Sequence, residues 1–285
     1  MRNYLDLLRK VIADGVWEEQ RNGHCLTIPG EMLKFDLSKG FPAVTTKKLF
    51  YQTGVVGELL CFLRGTNSLA EFKAQGCNVW DKNMTDPAWL ESPHNERPGD
   101  PDYMGDIYGT QWRNFNGEGC DQIANALADI RSAQPSRRIV VTAWNPNAIK
   151  CAVLPPCHMM FQLLPHKSTG TLHMTMYQRS CDMFLGIPFN IASYATLLHL
   201  FAAWGGYKVG TLTMFLADVH IYENHMDQVK EQLTREPLGL PSLFLNLPKE
   251  CATMTLEENL YDLERGDIEL FGYQHHPAIK AEMNR

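Results

Sequence analysis

The chain has 285 residues, of which 45% are hydrophobic and 20% charged, a balance typical of a protein that buries a substantial core. Lys and Arg number 26 against 32 Asp and Glu, and the formal net charge of −6 disfavours general binding to duplex nucleic acid, which requires a cationic surface. The N-terminus has no apolar signal core and no stretch approaches about 18 uninterrupted apolar residues, so we expect neither a signal peptide nor a membrane span.

In the first part of the chain, the hydrophobic pattern predicts two helices and a pair of strands. Apolar residues recur at helical spacing over 2–14, which predicts an amphipathic helix. Alternating residues over 25–37 predict two paired strands around a turn at Pro29-Gly30. Apolar residues over 51–64 surround Glu58 and predict a buried helix that carries this carboxyl group.

The rest of the chain adds helices, strands and one irregular segment. Residues 85–102 collect prolines and acidic residues, so we expect a surface insertion within a single domain that spans 1–285. The mixture of elements predicts an α+β fold. Helices are predicted over 121–133, 191–204 (beginning just after Asn190) and near 222–234, and strands over 139–144, 159–164, 172–177 and 211–217.

Eight cysteines are scattered along the chain, unlike the dense disulfide framework of small secreted domains. We therefore expect a cytoplasmic protein with free thiols. No Cys-x-x-Cys pair occurs in the sequence, and Cys151 with Cys157-His158 gives only a weak case for a metal site. We predict no metal.

The segment 154–158 (LPPCH) holds the most informative cysteine, because two prolines fix the backbone just ahead of Cys157. One interpretation is a small buried residue at the start of a strand. A catalytic thiol would instead need nearby cations to lower its pKa, and candidates stand at Arg21, in 136–138 (SRR) and in 177–180 (YQRS). Arginines flanked by Ser and Gln donors also suit a phosphate monoester, although an isolated Arg pair is usually solvated surface.

Nine motifs in one order carry a resemblance to a known family. They are 40–47 (GFPAVTTK), 108–113 (YGTQWR), 136–139 (SRRI), 156–158 (PCH), 177–182 (YQRSCD), 184–186 (FLG), 188–194 (PFNIASY), 218–222 (DVHIY) and 276–280 (HPAIK). Through them the chain resembles the thymidylate synthase family. The resemblance implies the thymidylate synthase fold, with a large mixed sheet flanked by helices, and a homodimer formed through that sheet. It also implies that Arg137 and Arg138 reach across the interface to the partner's nucleotide.

The resemblance also implies a catalytic group. Cys157 would attack C6 of a pyrimidine ring, and cysteine suits this reversible addition because it is both a good nucleophile and a good leaving group. Glu58 would relay protons through water to the O4 side of the ring, and Tyr108 would assist removal of the C5 proton. A surface carboxylate and a core tyrosine are the alternative interpretations of Glu58 and Tyr108.

The remaining implied ligands fall into three groups. The 5′-phosphate would be held by Arg21, Arg179 and Ser180 with the partner's arginine pair, and the sugar 3′-hydroxyl by His220 and Tyr222. Asp182 is expected beside both the nucleotide and the folate. The co-substrate 5,10-methylenetetrahydrofolate would be bound by Lys48, Trp80, Leu154, Asp182, Gly186 and Phe189.

Asn190 would select the base. Its side-chain oxygen can accept from N3–H of uracil while its amide nitrogen donates to O4. Cytosine presents the reverse pattern, and family members acting on cytosine nucleotides carry Asp at the matching place. The predicted substrate is therefore dUMP.

The sequence departs from the synthase pattern where the product would be decided. Its tail ends in Met283-Asn284-Arg285, whereas synthases end in an apolar pair that covers the site. At three further positions this chain has a different residue from the synthases: Asp106 replaces a proline, Cys61 replaces a tryptophan and Pro155 replaces a small residue. A polar tail would seal poorly, and Asp106 could hold a water that adds to the methylene intermediate. We therefore favour a dUMP hydroxymethylase making 5-hydroxymethyl-dUMP, with a phage source as corollary. The alternative is a thymidylate synthase making dTMP and dihydrofolate, in which these changes are neutral.

A non-catalytic nucleotide- or RNA-binding member of the family is a hypothesis of another class. Mere binding does not need a thiol, so Cys157, Glu58, Tyr108 and Asn190 count against it.

Overall fold

A computed structural model describes residues 1–134 and 136–284 and confirms the predicted α+β class. The helices are α1 (Arg2–Asp14), α2 (Gly57–Arg64), α3 (Leu69–Ala74), α4 (Asp81–Met84), α5 (Pro87–Leu90), α6 (Tyr108–Arg113), α7 (Gln122–Arg131), α8 (Gly186–Gly205), α9 (Met226–Leu233) and α10 (Leu256–Tyr261). The strands are β1 (Val16–Gln20), β2 (Gly23–Asp36), β3 (Val140–Thr142), β4 (His158–His166), β5 (Thr171–Asp182), β6 (Lys208–Tyr222), β7 (Ser242–Leu245) and β8 (Ile268–Phe271). A π-helical turn over Tyr51–Val56 leads directly into α2.

Within the described residues, six strands form one mixed sheet in the order β1-β2-β6-β5-β4-β3. β5 and β6 run parallel and every other neighbouring pair is antiparallel. This arrangement brings the carboxyl ends of β5 and β6 to the same edge as the amino ends of β2 and β4. Residues from distant parts of the sequence therefore meet at one end of the sheet.

The apolar helix α8 packs on β5 and β6 and forms the centre of the helical layer. It is long and apolar enough to cross a membrane, but most of it is buried inside the protein, as in a core helix. The apolar pattern predicts a start after Asn190, whereas α8 begins five residues before the predicted 191. The earlier start is possible because Pro188 lies in the first turn, where its missing N–H costs nothing. Just ahead of the helix, the Asp182 carboxylate accepts from the N–H groups of Phe184 and Leu185.

The prediction of two strands joined at Pro29-Gly30 is wrong, because β2 runs through both residues as one strand. Gly30 has φ +59, so glycine absorbs the kink without steric cost. β1 pairs with β2 only as far as Thr27, which leaves Pro29 with a strand partner on one side, where a missing N–H is tolerated. The actual hairpin turn lies at 21–22, between β1 and β2.

The predicted surface segment 85–102 is mostly exposed but carries the short helix α5. Trp89 and Asn95 are nevertheless buried, and the Asn95 side-chain amide donates to the Trp89 carbonyl. The segment is thus fixed to the body of the protein by a tryptophan anchor.

The face of the sheet that points away from α8 carries an apolar row. Met32, Phe215, Tyr177 and Met160 lie in register on β2, β6, β5 and β4 and are 54%, 44%, 40% and 39% exposed. Single exposed apolar residues are normal on a protein surface, whereas these four form a contiguous row across four strands.

Candidate active site

A cavity of about 760 Å³ opens at the sheet edge where β5 and β6 end. Parallel pairing aligns Ser180 with Asp218 and Asp182 with His220, so two groups of polar side chains stand side by side. Helices α2, α6 and α8 approach the same space from the helical layer. Most of the predicted site residues line it, namely Arg21, Glu58, Trp80, Tyr108, Leu154, Cys157, Arg179, Ser180, Asp182, Gly186, Phe189, Asn190, His220 and Tyr222.

Three predicted ligands do not line this cavity. Lys48 is exposed, and its ammonium lies 5.1 Å from the centre of the Phe50 ring. Arg137 and Arg138 are also exposed, and the Arg137 carbonyl accepts a hydrogen bond from the Gln162 side chain. The two arginines were predicted to serve a partner's site, so their distance from their own cavity agrees with that interpretation without testing it.

Cys157 is half-buried at the cavity wall, just before β4. Its backbone N–H donates to Tyr108 Oη at 2.7 Å, and the Arg179 guanidinium lies 3.9 Å from its Sγ. The carbonyls of Pro155 and Pro156 accept from the same guanidinium and hold it in place. Burial raises the pKa of the Cys157 thiol, while the Arg179 charge opposes that rise and favours the thiolate. The two prolines therefore orient the cation as well as the cysteine.

Glu58 projects from the first turn of α2 into the cavity and is not a surface carboxylate. Burial raises its pKa to about 7, although a hydrogen bond from Trp80 Nε1 at 3.0 Å opposes the shift. A carboxyl group with a pKa near neutrality can both give and take a proton. The indole of Trp80, predicted at the folate site, also packs edge-on against Phe62 and Phe72, so it supports Glu58 while lining the cavity.

Tyr108 is 3% exposed and its ring stacks on His158, with centroids 3.9 Å apart. Burial raises the pKa of the Tyr108 hydroxyl well above its usual value and lowers the pKa of His158 to about 3. His158 is therefore a neutral imidazole, whose Nδ1 is hydrogen-bonded to Tyr194 Oη at 2.8 Å. Tyr108 is buried like a core tyrosine, yet its hydroxyl contacts the backbone of Cys157 at the cavity.

The orientation of the Asn190 amide is fixed by Gln178. Gln178 Nε2 donates to Asn190 Oδ1 at 3.0 Å and to the Ser180 carbonyl at 2.9 Å. Since a carbonyl can only accept, the Gln178 NH₂ group must face these two oxygens. Asn190 thus keeps its own NH₂ group and one lone pair of Oδ1 for a ligand, which is the pattern that uracil requires.

At the end of β6, His220 and Tyr222 are buried against the cavity. Asp218 accepts from Thr27 Oγ1 at 2.6 Å, and its carboxylate lies 3.6 Å from His220 Nδ1. The neighbouring imidazole and the hydrogen bond from the Thr27 hydroxyl keep the pKa of Asp218 below its usual value. Asn22 Nδ2 donates to Tyr222 Oη at 2.6 Å, which leaves the phenol proton free to donate into the cavity.

Gly186 stands where α8 meets the cavity. A Cβ atom added to it would lie 3.6 Å from the Asp182 Cβ and 3.7 Å from Asn190 Oδ1. A larger side chain would therefore start between these two predicted ligand-binding residues, and glycine leaves that space open.

Three of the four departures from the synthase pattern lie outside the cavity lining. Asp106 is half-buried, and burial and the neighbouring Glu96 raise its pKa. Its backbone N–H is bonded to the Cys151 carbonyl, so the expectation that Asp106 holds a water in the cavity gains no geometric support. Cys61 is 1% exposed in the core, and Pro155 contributes its carbonyl to Arg179.

The fourth departure, the C-terminal tail, does reach the cavity. The lining includes Ala281, Met283 and Asn284, while Arg285 lies outside the described residues. His225, which is fully buried, is hydrogen-bonded through Nε2 to the Glu282 carbonyl at 2.6 Å. Residues 281–284 therefore reach the cavity, and the expectation that this polar tail covers the site poorly stays a prediction.

Two polar residues of this site, Gln178 and Asn22, have roles that the sequence analysis missed. Gln178 is 2% exposed inside a strand, and a buried glutamine in an otherwise apolar alternation is a signal that could have identified it. Asn22 stands in a hairpin turn, where asparagine is common for conformational reasons, so sequence gave no such signal. Within residues 1–134 and 136–284, no group of three or more His, Cys, Asp or Glu side chains could hold a metal ion.

Comparisons with known proteins agree over nearly the whole chain. A family model described as thymidylate synthase matches residues 2–285. The chain is 43% identical over 301 residues to the thymidylate synthase of Symbiobacterium thermophilum, covering 99% of this chain and 98% of the relative. It is 38% identical over 325 residues to the thymidylate synthases of Bordetella parapertussis and Pseudomonas putida, with 99% of each chain covered.

Proposed function

The chain belongs to the thymidylate synthase family, and from that membership we propose that it converts dUMP and 5,10-methylenetetrahydrofolate into dTMP and dihydrofolate. The observation that carries the proposal is that Cys157, Glu58 and Asn190 face one cavity. These are a nucleophile, a proton donor and acceptor, and a carboxamide with the pattern uracil needs. The walls of the same cavity supply apolar surface for the folate at Trp80, Leu154 and Phe189.

In the proposed reaction, the Cys157 thiolate adds to C6 of the uracil ring, which makes C5 nucleophilic. Arg179 beside the sulfur favours the thiolate and also faces the place expected for the phosphate. C5 then bonds to the methylene carbon of the folate, loses its proton, and the tetrahydrofolate amine leaves. A hydride from the folate reduces the exocyclic methylene group, and Cys157 departs with release of dTMP.

Glu58 and Tyr108 handle protons in this scheme. A Glu58 pKa of about 7 suits a group that protonates the O4 side of the ring through water as charge develops there. Tyr108 Oη lies 2.7 Å from the Cys157 amide nitrogen, and in this scheme it orders the water that receives the C5 proton.

The proposal replaces the hydroxymethylase that the sequence pattern favoured. The relatives compared above are named thymidylate synthases at 38–43% identity, and Asp106, Cys61 and Pro155 lie off the cavity lining. These facts support reduction of the methylene intermediate over its hydration. The polar Asn284 at the cavity is the one observation that favours the hydroxymethylase as a second candidate.

Product analysis distinguishes the two candidates. We expect the purified enzyme, given dUMP and 5,10-methylenetetrahydrofolate, to form dTMP and dihydrofolate in equal amounts, measured by mass spectrometry and dihydrofolate absorbance. Release of 5-hydroxymethyl-dUMP with tetrahydrofolate would establish the hydroxymethylase instead. Absence of any reaction with dUMP, in an enzyme that binds it, would favour a binding protein.

We further propose that the active protein is a homodimer formed through the exposed sheet face. The apolar row of Met32, Phe215, Tyr177 and Met160 supports this, since its burial would be favourable. Arg137 and Arg138 then complete the phosphate site of the partner. All eight cysteines are free thiols, which supports a cytoplasmic location. The relatives compared above are bacterial, so a phage source has no support from them.

A further inference from the structure

The sheet of β7 and β8 is separate from the six-stranded sheet, and its β8 edge is covered. The Asn246 N–H donates to the carbonyl of the opposite residue, Asp267, at 2.8 Å. Hydrogen-bonded pairs alternate along an antiparallel ladder, so Phe244 also bonds to the residue opposite it. The residues between these pairs turn their backbone groups outwards. On the β8 side, the outward Ile268 carbonyl accepts from Gln52 Nε2 of the π-helical turn at 2.7 Å.

The β7 edge is free. Leu243 and Leu245 lie between the hydrogen-bonded pairs, so their backbone N–H and C=O groups point away from β8. Within residues 1–134 and 136–284, no backbone group of another element bonds to these two residues. Their side chains pack against the hydrophobic core and hold the strand in place. An anchored strand with an unpaired edge is a template for pairing with another extended chain.

The outer face of the same sheet carries two exposed phenylalanines. Phe244 lies opposite Glu269 and Phe271 lies opposite Ser242, so these four side chains share one face. Phe244 is 57% exposed and Phe271 is 80% exposed. Neither residue lines the cavity of the candidate active site. A strand added to β7 would cover aromatic surface that is otherwise in contact with water.

The charge near this face determines which partner fits it. Residues 250–269, which lead into β8, hold seven acidic residues and one basic residue, Arg265. In the part of the chain that the structure describes, only Glu257 and Glu264 of these acids form salt bridges. Two copies of this surface would repel each other, whereas lysine and arginine side chains would be attracted to it.

We propose that the free edge of β7 binds an extended basic segment of a partner protein as a third strand. The backbone of the segment would bond to Leu243 and Leu245, and its apolar side chains would lie beside these leucines. Its basic side chains would then lie on the outer face, beside Phe244 and near Glu269. In this arrangement the main-chain hydrogen bonds provide affinity and the charge provides selectivity.

Fluorescence anisotropy tests the proposal with the full-length protein and a labelled peptide of four lysines alternating with four valines. We expect saturable binding that weakens about tenfold between about 0.05 M and 0.5 M NaCl, because salt screens exposed charges. The same peptide with N-methylated valines keeps every side chain and charge but cannot donate its valine N–H groups to β7. It should bind at least tenfold more weakly. Equal binding of the two peptides would show that charge alone attracts them and would overturn the proposal.

Two variants locate the bound peptide. Phe244→Ser and Phe271→Ser should each weaken binding about tenfold, through loss of apolar surface that the peptide covers. Val16→Ser is the matched control, because Val16 is 61% exposed on β1, an edge strand that also carries Glu18 and Glu19. This control should bind the peptide like the wild type. Weaker binding by Val16→Ser, with no effect of the phenylalanine variants, would place the peptide on β1 and refute the assignment to β7.

Two other results would also exclude the proposal. One is the absence of any saturable binding of the unmethylated peptide at low salt. The other is self-association of the free protein beyond a dimer, measured by sedimentation, that Phe271→Ser abolishes. A second copy of this chain, and not a basic partner segment, would then occupy the edge.

Discussion

At the scale of single residues, the site depends on groups whose chemistry is set by their surroundings. Sequence placed Glu58 on an apolar helix, which was sufficient to predict a buried carboxyl group. It could not predict the hydrogen bond from Trp80, because the two residues are 22 positions apart and meet only in the tertiary fold. The same holds for Arg179 and Cys157, which are adjacent because β4 and β5 pair.

The raised pKa of Glu58 makes stability depend on pH. The folded protein holds this proton up to about pH 7, whereas an unfolded Glu releases it near its ordinary value of 4.5. Stability therefore falls as pH rises between these values, and Glu58→Gln should avoid the loss. At pH 8 we expect the free energy of unfolding of Glu58→Gln to exceed that of the wild type by about 1–3 kcal/mol, so that its melting temperature is several degrees higher. At pH 5 the two melting temperatures should be close.

Thermal unfolding at the two pH values measures this difference. Glu91→Gln, at an exposed carboxylate, is the matched control and should show no such pH dependence. The kcat of Glu58→Gln should fall by about 10²–10⁴, as expected for loss of a general acid–base group. A melting difference that is the same at both pH values would contradict the burial argument.

At the scale of elements, the hydrophobic periodicity identified α1, α2, α7, β4 and β5. It did not predict correctly how proline and glycine affect the ends of a strand and a helix. Proline and glycine at 29–30 were interpreted as a turn, yet the strand continues because its neighbour β1 has already ended. Pro188 was interpreted as lying before a helix, yet it sits inside the first turn of α8. In both cases the deciding contact comes from another element, which local sequence does not contain.

Packing between the π-helical turn and α8 yields a second prediction. A Cβ atom added to Gly54 would lie 2.6 Å from Cε1 of Phe189, so Gly54→Ala must displace this ring. Because Phe189 lines the cavity, we expect the KM for the folate to rise several-fold, with a smaller change in the Kd for dUMP. Steady-state kinetics measure this, and Gly239→Ala, where a Cβ meets nothing within 4 Å, is the control. Equal kinetics for the two variants would exclude the packing argument.

At the scale of the whole molecule, the sequence motifs contain most of the residues that line the cavity. They do not predict the strand order that brings these residues together. Parallel pairing of β5 with β6 follows from long-range contacts, and the exposed apolar row becomes visible only when the register is known. The predicted role of Arg137 and Arg138 cannot be read from a single chain, because it requires the site of a second chain.

Burial of the apolar row in a dimer gives a third prediction. Phe215→Asp places a charge in the middle of the row and should produce monomers at micromolar concentration, measured by sedimentation. Activity should fall with dimer content, because each site would lose the partner's arginine pair. Mixing inactive Arg138→Ala with inactive Cys157→Ala should restore activity, since a mixed dimer has one intact site. A fully active Phe215→Asp monomer would exclude the shared site.

The chemistry at Cys157 is tested most directly by release of tritium from C5 of labelled dUMP in the presence of 5,10-methylenetetrahydrofolate. In the proposed reaction, addition of the Cys157 thiolate to C6 labilises this proton, and Asn190 restricts the addition to uracil. The wild type should release tritium from dUMP but not from C5-labelled dCMP, and Cys157→Ala should release none from either. Tritium release by Cys157→Ala, or equal release from dCMP by the wild type, would contradict covalent catalysis by this cysteine or base selection by this asparagine.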